Sequence, residues 1–460
     1  MIRLFRVFIP TSVLTLLVSE VALVLGCYIA ASFFTMFLDP WTYLIAEGNY
    51  WKLLLVVGLV ILGMYFQDLY ADLRVVSRIL LVQQVCLSVG CALLVMAFLG
   101  YLSADLLLGR WLMIAGSFAV VLVLPLWRIF YWKYVIAVLR SERVLLLGSS
   151  SILGEVADAV LAKPEFGYTI LGYLSDEGPC GFPVPCLGLV ADLRKICGEY
   201  RPTRIVVGMD ERRNRLPVQE LLEIRFEGVR IEDAADTYEI AMRRVCSRKI
   251  QPSQLIFTSE MGPRPRAITV QGFYSFMIGA LGLILFSPLM LLTALGVRLT
   301  SKGPILYRQR RVGVDGKTFT VYKFRSMYAD AEARTGAVWA VKDDPRITAI
   351  GKWLRKLRLD ELPQFWNVVK GDMAIVGPRP ERPEFVELLA RQIPYYRQRF
   401  AVKPGITGWA QINHKYGDTE LDALIKLEYD LYYIKNVSAA LDFYIVFHTV
   451  KVMLLSRGAQ

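Results

Sequence analysis

The sequence predicts a membrane protein of mixed architecture: four transmembrane helices in a bundle, a parallel α/β domain, and a mainly helical C-terminal domain built on a further apolar helix. Three observations predict it. The chain is 55% hydrophobic with mean hydropathy +0.42, too apolar for an ordinary soluble protein. Four stretches near its start each approach the ~20 residues needed to cross a bilayer. Strands then alternate with helices, and a basic, aromatic and helical region follows. At 460 residues more than one domain is expected. The boundaries read as a transmembrane region over 1–135, an α/β domain over 136–250, a connector over 251–270 and a C-terminal domain over 271–460.

The candidate spans are Val13–Phe37, Trp51–Tyr70, Ile79–Tyr101 and Trp111–Trp132. The first is too long for a signal peptide and lacks a small-residue cleavage site. Basic flanks set the orientation. Arg3 and Arg6 precede the first span, Arg74 and Arg78 separate the second and third, and Arg128, Lys133, Arg140 and Arg143 surround the end of the fourth. The other loops carry Asp39, Glu47 and Asp105, with only Lys52 and Arg110 as bases. The N-terminus and everything after residue 133 are therefore expected in the cytoplasm.

Within 136–250, Arg143–Gly148, Tyr168–Leu174 and Arg204–Val207 read as buried strands. Ser149–Leu161, Leu189–Tyr200 and Leu216–Glu227 read as the helices between them. Alternation of this kind argues for a parallel, Rossmann-like sheet. The turn GSSSILG carries only part of the dinucleotide fingerprint, because after Gly148 the next glycine is Gly154. No Tyr in the chain has a Lys four residues later, which removes the Tyr–Lys pair of a short-chain dehydrogenase. A regulatory or scaffolding module is the reading. The seven cysteines form no CxxC pair, and Cys180 and Cys186 lack partners for a metal site.

Phe273–Leu299 is apolar enough to span, yet Ser287-Pro288 lies at its middle and both flanks are basic. Arg264 and Arg266 precede it, and Arg298, Lys302, Arg308, Arg310 and Arg311 follow. Proline bends a helix, and two basic flanks place both ends in the cytoplasm. A re-entrant helix meets both observations; a kinked fifth span is the alternative. From Arg298 to Asp330, eight Lys/Arg stand against two acids, interleaved with Tyr307, Phe319, Tyr322 and Phe324. That pattern suits headgroups and phosphates at an interface. The net charge of +12 and pI near 9.3 fit the same reading better than nucleic acid. GVDGKT (313–318) is near a phosphate-binding loop, but its first glycine would fall at Arg311.

Residues 354–380, LRKLRLDELPQFWNVVKGDMAIVGPRP, carry the chemistry. Asp360 and Glu361 are adjacent acids where a helix is expected to begin, because Pro363 is tolerated only in a first turn and Lys370-Gly371 supplies a stop. Asp360 then reads as the N-cap, beside the positive helix end. Arg355, Lys356, Arg358 and Arg379 surround it with cation. Such a pocket suits a divalent metal and phosphate together. A capped surface helix with ordinary ion pairs fits the same residues.

The words around the acid pair resemble the bacterial polyprenyl-phosphate hexose-1-phosphate transferases, which start exopolysaccharide and O-antigen repeats. LDELPQFWNVVKGDMAIVGPRP matches their signature, and GPILYRQRRVG (303–313), FTVYKFRSM (319–327) and KPGITGWAQIN (403–413) occur in the family's order. The resemblance implies transfer of a sugar-1-phosphate from a UDP-sugar to polyprenyl (undecaprenyl) phosphate with release of UMP, in the bacterial inner membrane. It also implies the large form of the family, with an N-terminal membrane bundle and a Rossmann-like domain, and points to the re-entrant helix.

By the same resemblance Asp360 is the nucleophile of a covalent phospho-aspartyl intermediate. Glu361 helps bind Mg²⁺ (or Mn²⁺) or takes a proton from the lipid phosphate. Lys323, Arg325, Arg355 and Arg379 fall on phosphate-handling positions, and Gln411 on another motif near the site. Asp372 reads as a turn residue. His414 and His448 have no metal partner. Trp353, Trp366 and Trp409 read as packing residues. Leu441–Leu455 contains Asp442, His448 and Lys451, so it reads as packed or interfacial. A membrane glycosyltransferase releasing UDP and a non-catalytic nucleotide-sensing scaffold remain as alternatives, and a homodimer is compatible. The hexose is not legible.

Overall fold

The computed structural model describes all residues except 1, 5, 36–38, 40, 47, 76, 140, 141, 179, 210–214, 250–261, 263, 329, 330, 332–343, 415–418 and 456–460. The chain forms two compact units. One runs from Phe8 to Thr237; the other begins at Tyr238 and also takes in Arg3–Val7. Most of the connector expected over 251–270 lies outside the described residues.

The first unit opens with helices Thr11–Thr35, Tyr50–Phe66, Arg78–Leu102 and Arg110–Phe130. They pack around Val24, Val56, Val60, Val85, Leu112 and Val120. Three of these segments are long and apolar enough to cross a membrane. The second is a 17-residue helix, about 25 Å long at the α-helical rise, and so shorter than the span read from sequence. Arg128 also departs from expectation. It is not a flanking surface base but is buried in the bundle, its Nε donating to Glu20 at 2.6 Å and its Nη1 to the Leu69 carbonyl at 2.8 Å. Tyr70 donates to the same glutamate at 2.6 Å. An apolar setting makes a lone charge costly, so the pair and its satisfied donors pin helices together.

The α/β part of this unit is a five-stranded, fully parallel sheet. Its order is Cys186–Gly188, Tyr168–Leu174, Glu142–Leu147, Arg204–Val207, Arg230–Asp233. The central strand is buried along Val144–Leu147, as continuous apolar runs in parallel sheets are. Both edge strands escaped the sequence reading. Helix Ser151–Ala162 follows the central strand. All seven cysteines are free thiols, and Cys180 and Cys186 contact backbone carbonyls rather than each other.

In the second unit Pro265–Thr300 is one 36-residue helix that runs through Pro288 unbroken. One stripe of it, holding Gln271, Ser275, Gly279, Gly282, Thr293 and Val297, is buried, while Leu281, Ile284, Leu285, Leu291 and Leu292 are exposed. The helix touches the rest of the unit at points between Gln271 and Val297. Gln271 donates to Asp442 and Tyr433, both at 2.6 Å, and Phe286 stacks on Phe365. Val297 joins a core with Phe324 and Leu354.

An antiparallel ribbon, Leu306–Val312 with Thr318–Phe324, follows the helix. GVDGKT makes its tight connection, with Asp315 in the left-handed region, and is no phosphate loop. Helices Ala349–Lys356, Gln364–Lys370, Pro383–Gln392, Glu420–Asn436 and Ala439–Leu454 complete the unit, with a short parallel pair, Ala374–Val376 and Gly405–Thr407. The last helix turns Asp442 and Lys451 inward, so it is packed. Trp409 is buried and stacks on Tyr432. Trp353 and Trp366 are more than half exposed, which corrects their reading as packing residues.

Candidate active site

Asp360 and Glu361 lie in a single 3-10 turn, Leu359–Glu361, entered through Arg358 at φ 56°. Helix Gln364–Lys370 starts only after Pro363, which occupies the N-cap position without a side-chain bond. Asp360 is therefore not the N-cap. Its turn closes before the helix begins. Apolar packing on both sides holds it in place. Leu359 and Leu362 pack on the Val297–Phe324–Leu354 core. In the following helix Val368, Val369 and Phe365 lie against Gly279 and Gly282 of the long apolar helix, where an added Cβ would come within 3.0–3.4 Å.

Three cations converge on Glu361, one from the ribbon, one from the chain after Val376 and one from the turn itself. Lys323 Nζ lies 3.0 Å from Oε1, Arg379 Nη2 3.7 Å from the same oxygen, and Arg358 Nη1 3.7 Å from Oε2. Asn367, wholly buried, brings Lys323 there. Its Nδ2 donates to the Thr320 carbonyl at 2.7 Å and its Oδ1 accepts from the Tyr322 amide at 3.1 Å. That fastens the ribbon to the helix after the acid turn. Nothing in the motif reading singled Asn367 out, although a buried amide bonded to both strand atoms has the geometry of a clamp.

Asp360 is buried, and among the described residues its carboxylate accepts no hydrogen bond. Burial, then the adjacent Glu361 charge, push its carboxyl up to about 6, against Lys323, Arg355 and Arg358. Glu361 goes the other way. Burial raises it, but Lys323, Arg379 and Arg358 together outweigh that and hold it at about 2. Burial and neighbouring charge thus push the two adjacent carboxyls in opposite directions.

The other expected site residues divide. Arg355 stays at the site, its Nε donating to Ser326 Oγ at 3.0 Å and its charge felt by Asp360. Arg325 does not. Its guanidinium donates to the Lys302 and Ser301 carbonyls at 2.9 and 2.8 Å, closing the C-terminal end of the long helix where free carbonyls collect. Gln411 makes no described contact with the acid pair; its Nε2 reaches the Ile406 carbonyl at 3.4 Å and its Oε1 is buried without a partner. Asp372 takes the Lys370 ammonium at 3.0 Å in a turn. His414 bonds Asp422, and burial lowers His448 to about 4.

No third Asp, Glu, His or Cys joins the pair among the described residues. A site made by protein ligands alone is thus not present there. Mg²⁺ commonly binds through one or two carboxylates plus substrate phosphates and water, and the uncommitted Asp360 carboxylate fits that mode. Glu361, enclosed by three cations, fits it less well.

Residues 266–456 match the family model described as "Bacterial sugar transferase". The UDP-glucose:undecaprenyl-phosphate glucose-1-phosphate transferase of Klebsiella pneumoniae is 34% identical over 326 residues, covering 70% of this chain and 69% of that protein. The chain belongs to the bacterial sugar transferase family. Two further relatives of this bacterial sugar transferase match over shorter stretches. The UDP-N-acetylgalactosamine-undecaprenyl-phosphate N-acetylgalactosaminephosphotransferase of Aeromonas hydrophila is 47% identical over 198 residues, 43% of this chain. The undecaprenyl-phosphate glucose phosphotransferase of Komagataeibacter xylinus is 44% identical over 182 residues, 38% of this chain. These matches span 47% and 34% of the two relatives' lengths.

Proposed function

We propose that the chain transfers a sugar-1-phosphate from a UDP-sugar to undecaprenyl phosphate, forming undecaprenyl-diphosphate-sugar and releasing UMP. The observation that carries the reading is the contrast within one turn: an uncommitted, buried Asp360 beside a Glu361 locked among three cations. Attack of an anion on an already anionic phosphorus needs nearby positive charge. Lys323, Arg358, Arg379 and Arg355 supply it. In the first step an Asp360 oxygen forms a bond to the sugar-bearing phosphorus, and the bond from that phosphorus to UMP breaks. In the second a lipid phosphate oxygen attacks the same phosphorus and frees the carboxylate. Glu361, held at about 2, is a weak proton acceptor, so its role in this reading is to anchor the cations. Mg²⁺, when bound at Asp360, would neutralise phosphate charge.

The acceptor's phosphate sits at headgroup level, so the site belongs at a cytoplasmic membrane interface. Contacts of helix Pro265–Thr300 with the same unit from Gln271 to Val297 support a re-entrant course over a full crossing. Exposed Trp353 and Trp366, on short helices that pack against it, suit an aromatic belt. Arg3–Val7 belong to the unit that holds the site, and the Tyr432 hydroxyl donates to the Arg6 carbonyl at 3.0 Å. That supports an N-terminus on the same side as the site.

The test is to incubate membranes holding the full chain with undecaprenyl phosphate and a panel of UDP-sugars. Repeated turnover with UMP release is expected only when the lipid phosphate is present; release of UDP would establish direct glycosyl transfer, and no release with any sugar would favour the scaffold reading. Engineered cysteines near Arg266 and Lys302 are both expected to resist an impermeant thiol reagent added outside intact cells. Labelling at Lys302 would establish a true span.

A further inference from the structure

The loop Gly377–Glu381 presents Arg379 to Glu361, yet it has no regular secondary structure. Each of its last four carbonyls is nevertheless taken. Pro378 O accepts from the Gly405 amide at 3.0 Å and Arg379 O from Arg399 Nη2 at 3.1 Å. Pro380 O accepts from Arg311 Nη1 at 3.0 Å and Glu381 O from the Val312 amide at 2.9 Å. Two of the four holds are arginine side chains, and both arginines are themselves fixed. Arg399 is buried and paired with buried Asp430 at 2.8 Å. Arg311 Nε donates to Gln309 Oε1 at 2.9 Å, and Gln309 Nε2 donates to the Tyr307 hydroxyl at 2.9 Å. Tyr307 is the cross-strand partner of Lys323.

The two cations on Glu361 Oε1 are thus indexed to one ribbon. Lys323 belongs to it directly, and Arg379 is referred to it through Arg311. A planar guanidinium can serve a carboxylate and a carbonyl at once, which an ammonium does with far less directional control.

We propose that Arg399 and Arg311 are positioning residues that hold the Gly377–Glu381 loop by its carbonyl oxygens and thereby deliver Arg379 to the carboxylate pair. The proposal rests on the transfer reading of that pair. Neither arginine touches the acids; each acts through Arg379.

A double-mutant cycle on the full chain in membranes separates positioning from general structural support. It is read on nucleotide released from UDP-glucose or UDP-N-acetylgalactosamine, whichever turns over, with undecaprenyl phosphate as acceptor. Arg399→Gln is expected to lower kcat by roughly 10–100-fold, the scale of a misplacement of about 1 Å, with little change in donor KM. In an Arg379→Ala background the same change is expected to add less than about twofold, since residues acting as one unit are not additive. Arg399→Lys keeps the charge opposite Asp430 and is expected to stay impaired. Equal fold-losses in both backgrounds, or full activity in Arg399→Lys, would overturn the proposal. Arg311→Gln leaves the buried Arg399–Asp430 pair intact and is run through the same cycle with the same expectation, so a misfolded Arg399 variant does not remove the test. Whether the nucleotide is UMP or UDP reports separately on the transfer reading.

Discussion

The turn after the central strand of the α/β sheet and the turn that carries Asp360 are built on the same local trick and used differently. Each leaves a regular element through one left-handed residue, Gly148 at φ +117° and Arg358 at φ 56°. At Gly148 the backbone fills the space, and a Cβ there would meet the Gly208 carbonyl at 2.4 Å. Ser149 spends its hydroxyl on Glu177 at 2.7 Å. At Arg358 a full side chain is kept in the uncommon conformation, and its guanidinium folds onto Glu361. The first turn is closed by main chain. The second gathers three cationic side chains from separate parts of the chain. Strain kept in a non-glycine residue, with charges aimed at one carboxylate, is the arrangement the proposed transfer uses.

Substitutions that cancel each feature sharpen this contrast. The largest effect is expected at Asp360. Asp360→Asn should lower UMP release by at least ~1,000-fold, because an amide is a poor nucleophile; steady-state turnover in membranes checks it. Glu361→Gln frees three cations and should cost roughly 100-fold, as loss of electrostatic stabilisation does.

Stability should move oppositely at the two acids. The folded-state pKa of Asp360 lies above its ordinary value, so the folded form binds the extra proton between about pH 4 and 6, and stability falls as pH rises through that window. Above it the ionised group is a standing cost, and Asp360→Asn should raise the melting temperature by an amount on the order of 1–3 kcal/mol of stability. Glu361 is depressed. Its contribution is present above about 4.5 and lost as pH falls toward 2, so Glu361→Gln should lower the melting temperature at neutral pH. Scanning calorimetry without added metal reads both signs.

A smaller effect on activity is expected at the clamp. Asn367→Ala orphans the Tyr322 amide and should cost about 1–3 kcal/mol and lower turnover roughly tenfold, since Lys323 loses its register. The smallest is expected at the other turn. Gly148→Ala should destabilise the α/β domain by about 1–3 kcal/mol, seen as an earlier melting transition, while UMP release below that transition changes less than about twofold. A large loss of turnover there would break the separation drawn between the two turns.

The two regions also differ in what their sequences disclose. In the sheet, period and apolarity locate elements well: Tyr168–Leu174 and Arg204–Val207 are found to the residue. The edge strand Cys186–Gly188 is too short to stand out, and Arg230–Asp233 too polar. In the C-terminal unit the words identify the acid pair, but its surroundings depend on chain segments far apart. Arg325 illustrates the limit. Two residues from Lys323, it would share that side chain's face in a continuing strand, but the strand ends at Phe324 and the arginine turns to the helix end. Likewise DELP signals a helix start, yet cannot tell an N-cap from a 3-10 turn that closes one step earlier. Glu20 with Arg128 and Arg399 with Asp430 are pairings across the fold, invisible to local pattern.

The nucleophile at Asp360 can be caught chemically. The full chain should be given a UDP-sugar radiolabelled in the sugar, with Mg²⁺ and without lipid, and the protein then separated and counted. Label is expected to stay on the wild-type chain with one UMP released per label, to be discharged on adding undecaprenyl phosphate, and to be absent from Asp360→Asn. A wild-type protein that turns over yet never labels, or an Asp360→Asn protein that labels normally, would contradict a covalent step at Asp360.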